Sequence, residues 1–130
     1  MTIALTEDEW TVLRRIPETD LVDAAADLSM LTPESLDARA LLEDMIPLII
    51  HRLRDEGLPL SKYDRDDLEA LSTSERASVA RLQGLKPNAS VSAMVKAGQK
   101  VYKTYLKTRP GNPVALLLPT LLPVIARVAE

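Results

Sequence analysis

His51 is the only histidine in the chain, and two carboxylates lie near it in the sequence. Asp55 follows it by one helical turn, and Asp44 precedes it by about two turns. A carboxylate beside an imidazole is the pair that general acid–base catalysis uses. The sequence shows no nucleophile at a defined spacing from this pair and no second histidine for a metal. We therefore interpret His51 as a surface residue and predict no enzyme; catalysis would instead require a concave site around His51 or around Tyr102 and Tyr105.

A second group of acids superficially resembles the opening of a calcium-binding loop, namely Asp64, Asp66, Asp67 and Glu69. Such a loop requires glycine at its sixth position and a bidentate glutamate at its twelfth. Glu69 occupies the sixth position and Glu75 the twelfth, and Glu75 follows a helix-start signal at Ser72. We therefore interpret these acids as the N-terminus of a short helix, and we predict neither a metal nor a cofactor.

Four lysines follow one another at spacings of four, three and four residues in the segment 91–107, which is predicted to be helical. These spacings place them on one side of the helix, opposite a row of apolar residues. Such a row can neutralise phosphates, meet an anionic membrane or contact an acidic protein. The alternative is a solvated or internally paired surface. The candidate residues for binding a partner or phosphate are Lys96, Lys100, Lys103, Lys107 and Arg109.

The segment 79–95 resembles a helix-turn-helix in its order of small, glycine and apolar residues. The matching positions are Ala80, Gly84, Leu85, Val91 and Val95. The resemblance implies a nucleic-acid-binding regulator that uses residues 74–107 and places its second helix in the major groove of DNA. Gln83 departs from the apolar residue of that pattern, and the turn is one residue too long. The residues implied to face the groove are Asn88, Ser90, Ser92, Ala93 and Lys96.

The C-terminal segment 113–128 is the element around which the rest of the chain is expected to pack. No side chain from Val114 to Ala126 is charged, and a helix that is apolar on all sides must be enclosed. The segment is too short to span a membrane, and Pro119 and Pro123 predict a kink or a break. It is either buried within one chain or shared between two copies. The candidate residues for such self-association are Leu117, Leu118, Leu121, Leu122 and Ile125.

The composition predicts one all-α domain over residues 1–130. Apolar residues make up 46% of the chain and charged residues 27%, there is no phenylalanine, and no stretch alternates as a strand does. Helix-start signals and apolar spacing predict a compact bundle of six or seven helices. The helices near 33–56 and 113–128 are expected at its centre, the first capped by Thr32. Capping boxes at Thr6 and Ser72 predict two further helices.

Charge is divided unevenly along the chain. Residues 1–70 carry 17 acids and 7 bases, whereas residues 71–130 carry 2 acids and 9 bases. The halves are expected to pack together and partly neutralise each other, or to contact partners of opposite charge. With no cysteine and no signal peptide, the expected compartment is the cytoplasm. The sequence thus predicts a non-catalytic protein-interaction module, such as an adaptor, regulatory subunit or toxin-neutralising protein. The nucleic-acid-binding regulator is the alternative, and a homo-oligomer is possible.

Overall fold

The computed structural model describes residues 3–30, 37–61, 64–108 and 113–129, the last four of the 64–108 range by their backbone only. Within these ranges every regular element is a helix, which confirms the all-α prediction and the number of helices. The helices are α1 (Glu7–Leu13), α2 (Glu18–Asp27), α3 (Ala38–Glu56), α4 (Arg65–Ala70), α5 (Thr73–Leu82), α6 (Val91–Thr108) and α7 (Pro113–Val128).

Helix α7 lies at the centre of the bundle, as its composition predicts. It packs against five of the other helices, α1, α2, α3, α4 and α5. A contact between two copies of the chain requires side chains at the surface, but the candidate self-association residues are all buried in the core of this single chain. These residues are Leu117, Leu118, Leu121, Leu122 and Ile125.

The two interior prolines of α7 do not break the helix, so of the kink or break that the sequence predicts, the break does not occur. The helix runs without interruption from Pro113 to Val128. Pro123 is exposed and Pro119 is partly exposed. Both prolines therefore lie on the side of α7 nearest the solvent, where an interrupted hydrogen-bond ladder costs least.

Helix α3 is the second central element, but it begins later than predicted. The predicted cap and first turn near Pro33 lie outside the described residues. Asp37 has an extended backbone, with φ −101° and ψ 99°, and its side chain accepts a hydrogen bond from the Ala40 amide. The helix therefore begins afresh at Ala38, and the predicted continuous helix from residue 33 is wrong. Five of its large side chains are fully buried: Leu42, Met45, Ile46, Ile49 and Leu53.

The ends of the shorter helices agree with the sequence where a local cap defines them. Both predicted capping boxes form, at Thr6 with Glu9 and at Ser72 with Glu75. The sequence offers Asp20 or Thr19 as the cap of α2, but the helix begins directly after Pro17 and has no side-chain cap, so this prediction is wrong. The fixed φ of proline can start a helix without a capping hydrogen bond, which explains the earlier start.

A short extended segment after α3 fixes the position of α6. The backbone amide of Leu60 donates to the carbonyl of Gly98 on α6, at 3.1 Å. A Cβ atom on Gly98 would lie 2.8 Å from Leu60 Cγ and 3.0 Å from its nitrogen. Only glycine permits this close approach, so Gly98 is needed for the segment to cross α6.

We expect Gly98→Ala to destabilise the protein by about 1–3 kcal/mol, because the added methyl group overpacks a filled site. The same change in an open helix would stabilise it by about 0.5–1 kcal/mol, so the sign of the effect is diagnostic. Urea denaturation measures the free energy of unfolding. A stabilised Gly98→Ala variant would contradict the packing described here.

Candidate functional site

The lysine row predicted from the sequence lies on the exposed side of α6. We call Lys96, Lys100 and Lys103 the lysine face; all three are exposed. Among the described residues, none of the three has a carboxylate within 4.0 Å. Lys107 continues the row along the backbone of α6, but its side chain and the whole of Arg109 lie outside the described part of the chain. The three described lysines are therefore available to a partner.

The arginines differ from these lysines because several of them are bound to carboxylates. The shortest nitrogen–oxygen distances in these pairs lie between 2.6 and 3.0 Å. Three of the pairs join different helices, and the fourth lies within α4. They are Arg39–Glu7, Arg52–Asp27, Arg127–Glu9 and Arg65–Glu69. All four of these pairs use arginine, whereas no described side chain of the lysine face takes part in one.

The opposite side of α6 anchors it to the bundle, as the amphipathic pattern predicts. Met94 is fully buried and Val95 is only 9% exposed, whereas Val101 and Tyr102 are partly buried. Because the apolar side is packed against the core, the lysine face is held on a rigid element. A site on a packed helix keeps its spacing better than one on a loop.

The segment that resembles a helix-turn-helix does not form that motif's tight turn. Helices α5 and α6 are separated by the eight residues 83–90, whereas the motif uses a turn of three or four. Helix α5 packs mainly against α7, and α6 packs against α4. The side-chain amide of Gln83 donates to the Met94 carbonyl at 2.9 Å, which explains a polar residue where the motif has an apolar one.

In the first turn of α6, the side chains of Ser92 and Ala93 are nevertheless exposed to solvent, and the turn contains no acid. Ser90 caps the helix, and its hydroxyl accepts a hydrogen bond from the Ala93 amide at 3.1 Å. Amide groups at a helix N-terminus favour anions. The residues implied by the motif to face a nucleic acid are all exposed: Asn88, Ser90, Ser92, Ala93 and Lys96.

Helix α4 is linked to the N-terminal end of α6. Arg65 of α4 donates to the Ser92 hydroxyl at 3.1 Å and so links the two helices. Asp66 and Asp67 neighbour Arg65 in the sequence and are exposed. Partial burial, together with the nearby charges of Asp64 and Asp66, raises the pKa of Asp67 above its ordinary value. The helix that packs against α6 therefore carries exposed acids.

The His51 side chain is 79% exposed, and its Nε2 lies 3.6 Å from Asp55 Oδ2. The interpretation as a surface histidine is therefore confirmed. Among the described residues, no three side chains of metal-binding type are grouped closely enough to hold an ion.

The sequence did not reveal an apolar groove that runs between α1 and α7. It consists of two adjoining cavities of about 300 and 200 Å³ that share Val12 and Thr120. Val12 is 52% exposed and Leu116 is 68% exposed. We call this feature the α1–α7 groove. The sequence of α7 does contain a signal for one wall of this groove. Thr120, Pro123 and Arg127 lie on the same side of the helix as Leu116, and their types indicate that this side faces solvent.

Glu9 holds the two walls of the groove together. Its carboxylate accepts two hydrogen bonds from the Arg127 guanidinium, at 2.7 and 2.8 Å, and one from the Thr6 amide at 2.9 Å. Burial by itself would raise the pKa of Glu9. The hydrogen bonds from Arg127 and Thr6 outweigh burial and hold the pKa below its ordinary value. The ionised carboxylate therefore stabilises the fold.

No family model matches the chain, and comparisons with curated proteins and with solved structures give no match. Over the described residues, none of the helices combines the length and apolar character needed to cross a bilayer.

We expect Glu9→Gln to lower the free energy of unfolding by about 1 kcal/mol at neutral pH, because glutamine can keep the cap but not the ion pair. A lowered pKa gives stability that is present above the pKa of the unfolded chain, about 4.3, and is lost as the pH falls through the folded-state pKa. The difference between variant and parent should therefore shrink as the pH falls below about 4. Thermal unfolding at several pH values measures it, and a difference independent of pH would contradict this role for Glu9.

Proposed function

We propose that this chain is a non-catalytic helical interaction module that binds an acidic segment of another protein through the lysine face. The observation that carries the proposal is the contrast between the ion-paired arginines and the unpaired, exposed lysines at positions 96, 100 and 103. Cations that stabilise nothing in the fold are free to act on a partner. We also propose that the protein is located in the cytoplasm. Its chain has no cysteine and so cannot form the disulfide bonds that an oxidising compartment favours.

The spacing of the lysines suits a short acidic stretch. Lys96 and Lys103 are seven residues apart, which is about 10 Å along a helix. Each exposed ion pair contributes only about 0.2–1 kcal/mol, so the row gives modest affinity but accelerates encounter with an acidic surface. Such binding weakens as salt shortens the screening length, which is about 8 Å at physiological ionic strength.

The acids on α4 favour a protein partner over a nucleic acid. A duplex presents phosphates continuously along its backbone, so one that lies along α6 would also approach Asp66 and Asp67. A protein can place its acids opposite the lysines and its bases opposite α4. The exposed His51, which lacks a positioned nucleophile, gives no support to a catalytic proposal.

Nucleic-acid binding is the second candidate function. It is supported by the open first turn of α6, where Ser90, Ser92 and Ala93 are exposed and no acid is present. Phosphate groups bind well to such helix N-termini. This mode would use the backbone amides of α6 together with Lys96, without the tight crossing of a helix-turn-helix.

The proposal is tested by charge reversal of the lysine face. Fluorescence anisotropy measures binding of labelled poly-L-glutamate, and separately of a labelled random-sequence DNA duplex, at low and physiological salt. We expect the parent protein to bind poly-L-glutamate, and Lys100→Glu with Lys103→Glu to weaken that binding at least about tenfold, because attraction becomes repulsion. The affinity for poly-L-glutamate should fall with added salt.

A matched control keeps the change in net charge but moves it elsewhere. Lys86→Glu with Arg54→Glu reverses two exposed cations outside the lysine face, and this variant should bind almost as the parent does. Equal loss in both double variants would show a general charge effect and contradict the assignment to α6. Strong, salt-sensitive binding of DNA together with weak binding of poly-L-glutamate would favour the second candidate. Failure to bind either probe at low salt would overturn both.

A further inference from the structure

A cavity of about 480 Å³ lies between the C-terminal ends of α3 and α5. Residues 54–57 line it on the α3 side, and residues 78 and 81–84 line it on the α5 side. Its volume falls within the range of small-molecule pockets, which is about 300–1,000 Å³. None of the residues that line it belongs to the lysine face or to the α1–α7 groove. The cavity is therefore a separate candidate site.

Two arginines line this cavity without being committed to an ion pair. Arg54 lies in the last turn of α3 and Arg81 in the last turn of α5, and both are exposed. Over the described part of the chain, neither has a carboxylate within 4.0 Å. A guanidinium group presents parallel N–H donors that match the two oxygens of a carboxylate. The cavity can therefore bind a carboxylate group.

The same cavity also carries negative charge on its α3 side. Asp55 and Glu56 both line it. The C-terminal ends of α3 and α5 add the partial negative charge of their last carbonyl groups. These groups would repel a phosphate dianion in the cavity, and the two arginines would repel a simple cation. The lining therefore favours a ligand that carries charges of both signs.

Gln83 contributes a hydrogen-bond acceptor that has no donor. It directly follows α5, and its Nε2 donates to the Met94 carbonyl at 2.9 Å, which fixes the orientation of the amide. Its Oε1 is buried and accepts no hydrogen bond from any residue that the structure describes. Buried polar atoms nearly always have a partner, so an exception requires an explanation. An N–H group on a ligand in the cavity that Gln83 lines is a suitable donor.

From these features we propose that the cavity binds a small zwitterion of the α-amino acid type. The carboxylate of the ligand accepts hydrogen bonds from Arg54 and Arg81, and its ammonium group donates to Oε1 of Gln83. The acids at the end of α3 stabilise the ammonium charge. Poly-L-glutamate is a poor ligand for this site, because the amines of its residues are tied up in peptide bonds. The cavity and the lysine face thus bind different chemical groups.

A screen of free amino acids tests the proposal. Saturation-transfer NMR detects binding of each standard L-amino acid, and isothermal titration calorimetry then measures the Kd of the one that binds most tightly. We expect a Kd below about 1 mM. The amide of that amino acid lacks the carboxylate, and its N-acetyl derivative lacks the ammonium group. Each should bind at least about tenfold more weakly, because each loses one charged contact.

Substitutions in the cavity test the assigned contacts. Arg81→Gln and Gln83→Met should each weaken binding of the amino acid at least about fivefold, because each removes one hydrogen-bonding group. Arg76→Gln is the matched control, since Arg76 lies on α5 but does not line the cavity, and its affinity should equal that of the parent. Circular dichroism establishes that each variant is folded. A merely structural role for Gln83 would lower the unfolding temperature of Gln83→Met and leave the Kd unchanged.

Three results would overturn the proposal. They are a parent protein that binds no amino acid, an amide or N-acetyl derivative that binds as tightly as the amino acid, and cavity variants whose affinity equals that of the parent. The proposed function is tested separately. Lys86→Glu with Arg54→Glu should lose the amino acid and keep poly-L-glutamate, whereas Lys100→Glu with Lys103→Glu should do the reverse. Failure of either proposal therefore leaves the other standing.

Discussion

The burial of α7 is the constraint on which the rest of the structure depends. Its leucines, valines and isoleucine have no polar side to turn to water, so five other helices must cover them. Each large apolar side chain that is fully buried contributes about 1.5–3 kcal/mol. A chain of 130 residues can build only one such core. The order of the helices around α7 then decides which charges can pair and which remain at the surface.

Arginine and lysine have different roles around this core. Arg127, in the last turn of α7, reaches Glu9 across almost the whole length of the chain, and its planar guanidinium binds both carboxylate oxygens. Among the described residues, this is the ion pair that joins a base of residues 71–130 to an acid of residues 1–70. Among the described side chains of α6, those of Lys96, Lys100 and Lys103 form no such pair. The two halves pack together as expected, but the positive charge of α6 is left at the surface.

Local signals in the sequence were sufficient for much of the fold. Thr6 and Ser72 have their capping glutamates three residues away, so these helix starts need no tertiary information. The buried position of α7 follows from its composition alone. The start of α3 was wrong because Asp37 competes with the signal near Pro33, and both are good caps. The α1–α7 groove was missed because it depends on which helix lies beside α7, and nothing local to Val12 or Leu116 reveals that neighbour.

The lysine face and the α1–α7 groove lie on helices with different packing partners. Helix α6 has its main contacts with α4 and not with α7, so the two surfaces are positioned by different contacts of the bundle. Each exposed ion pair contributes little, because both charges remain in water and long side chains lose freedom when they are held in place. Three lysines on one packed helix have the advantage that their spacing is set by the helix before any partner binds, so less freedom is lost than if the same charges lay on a loop.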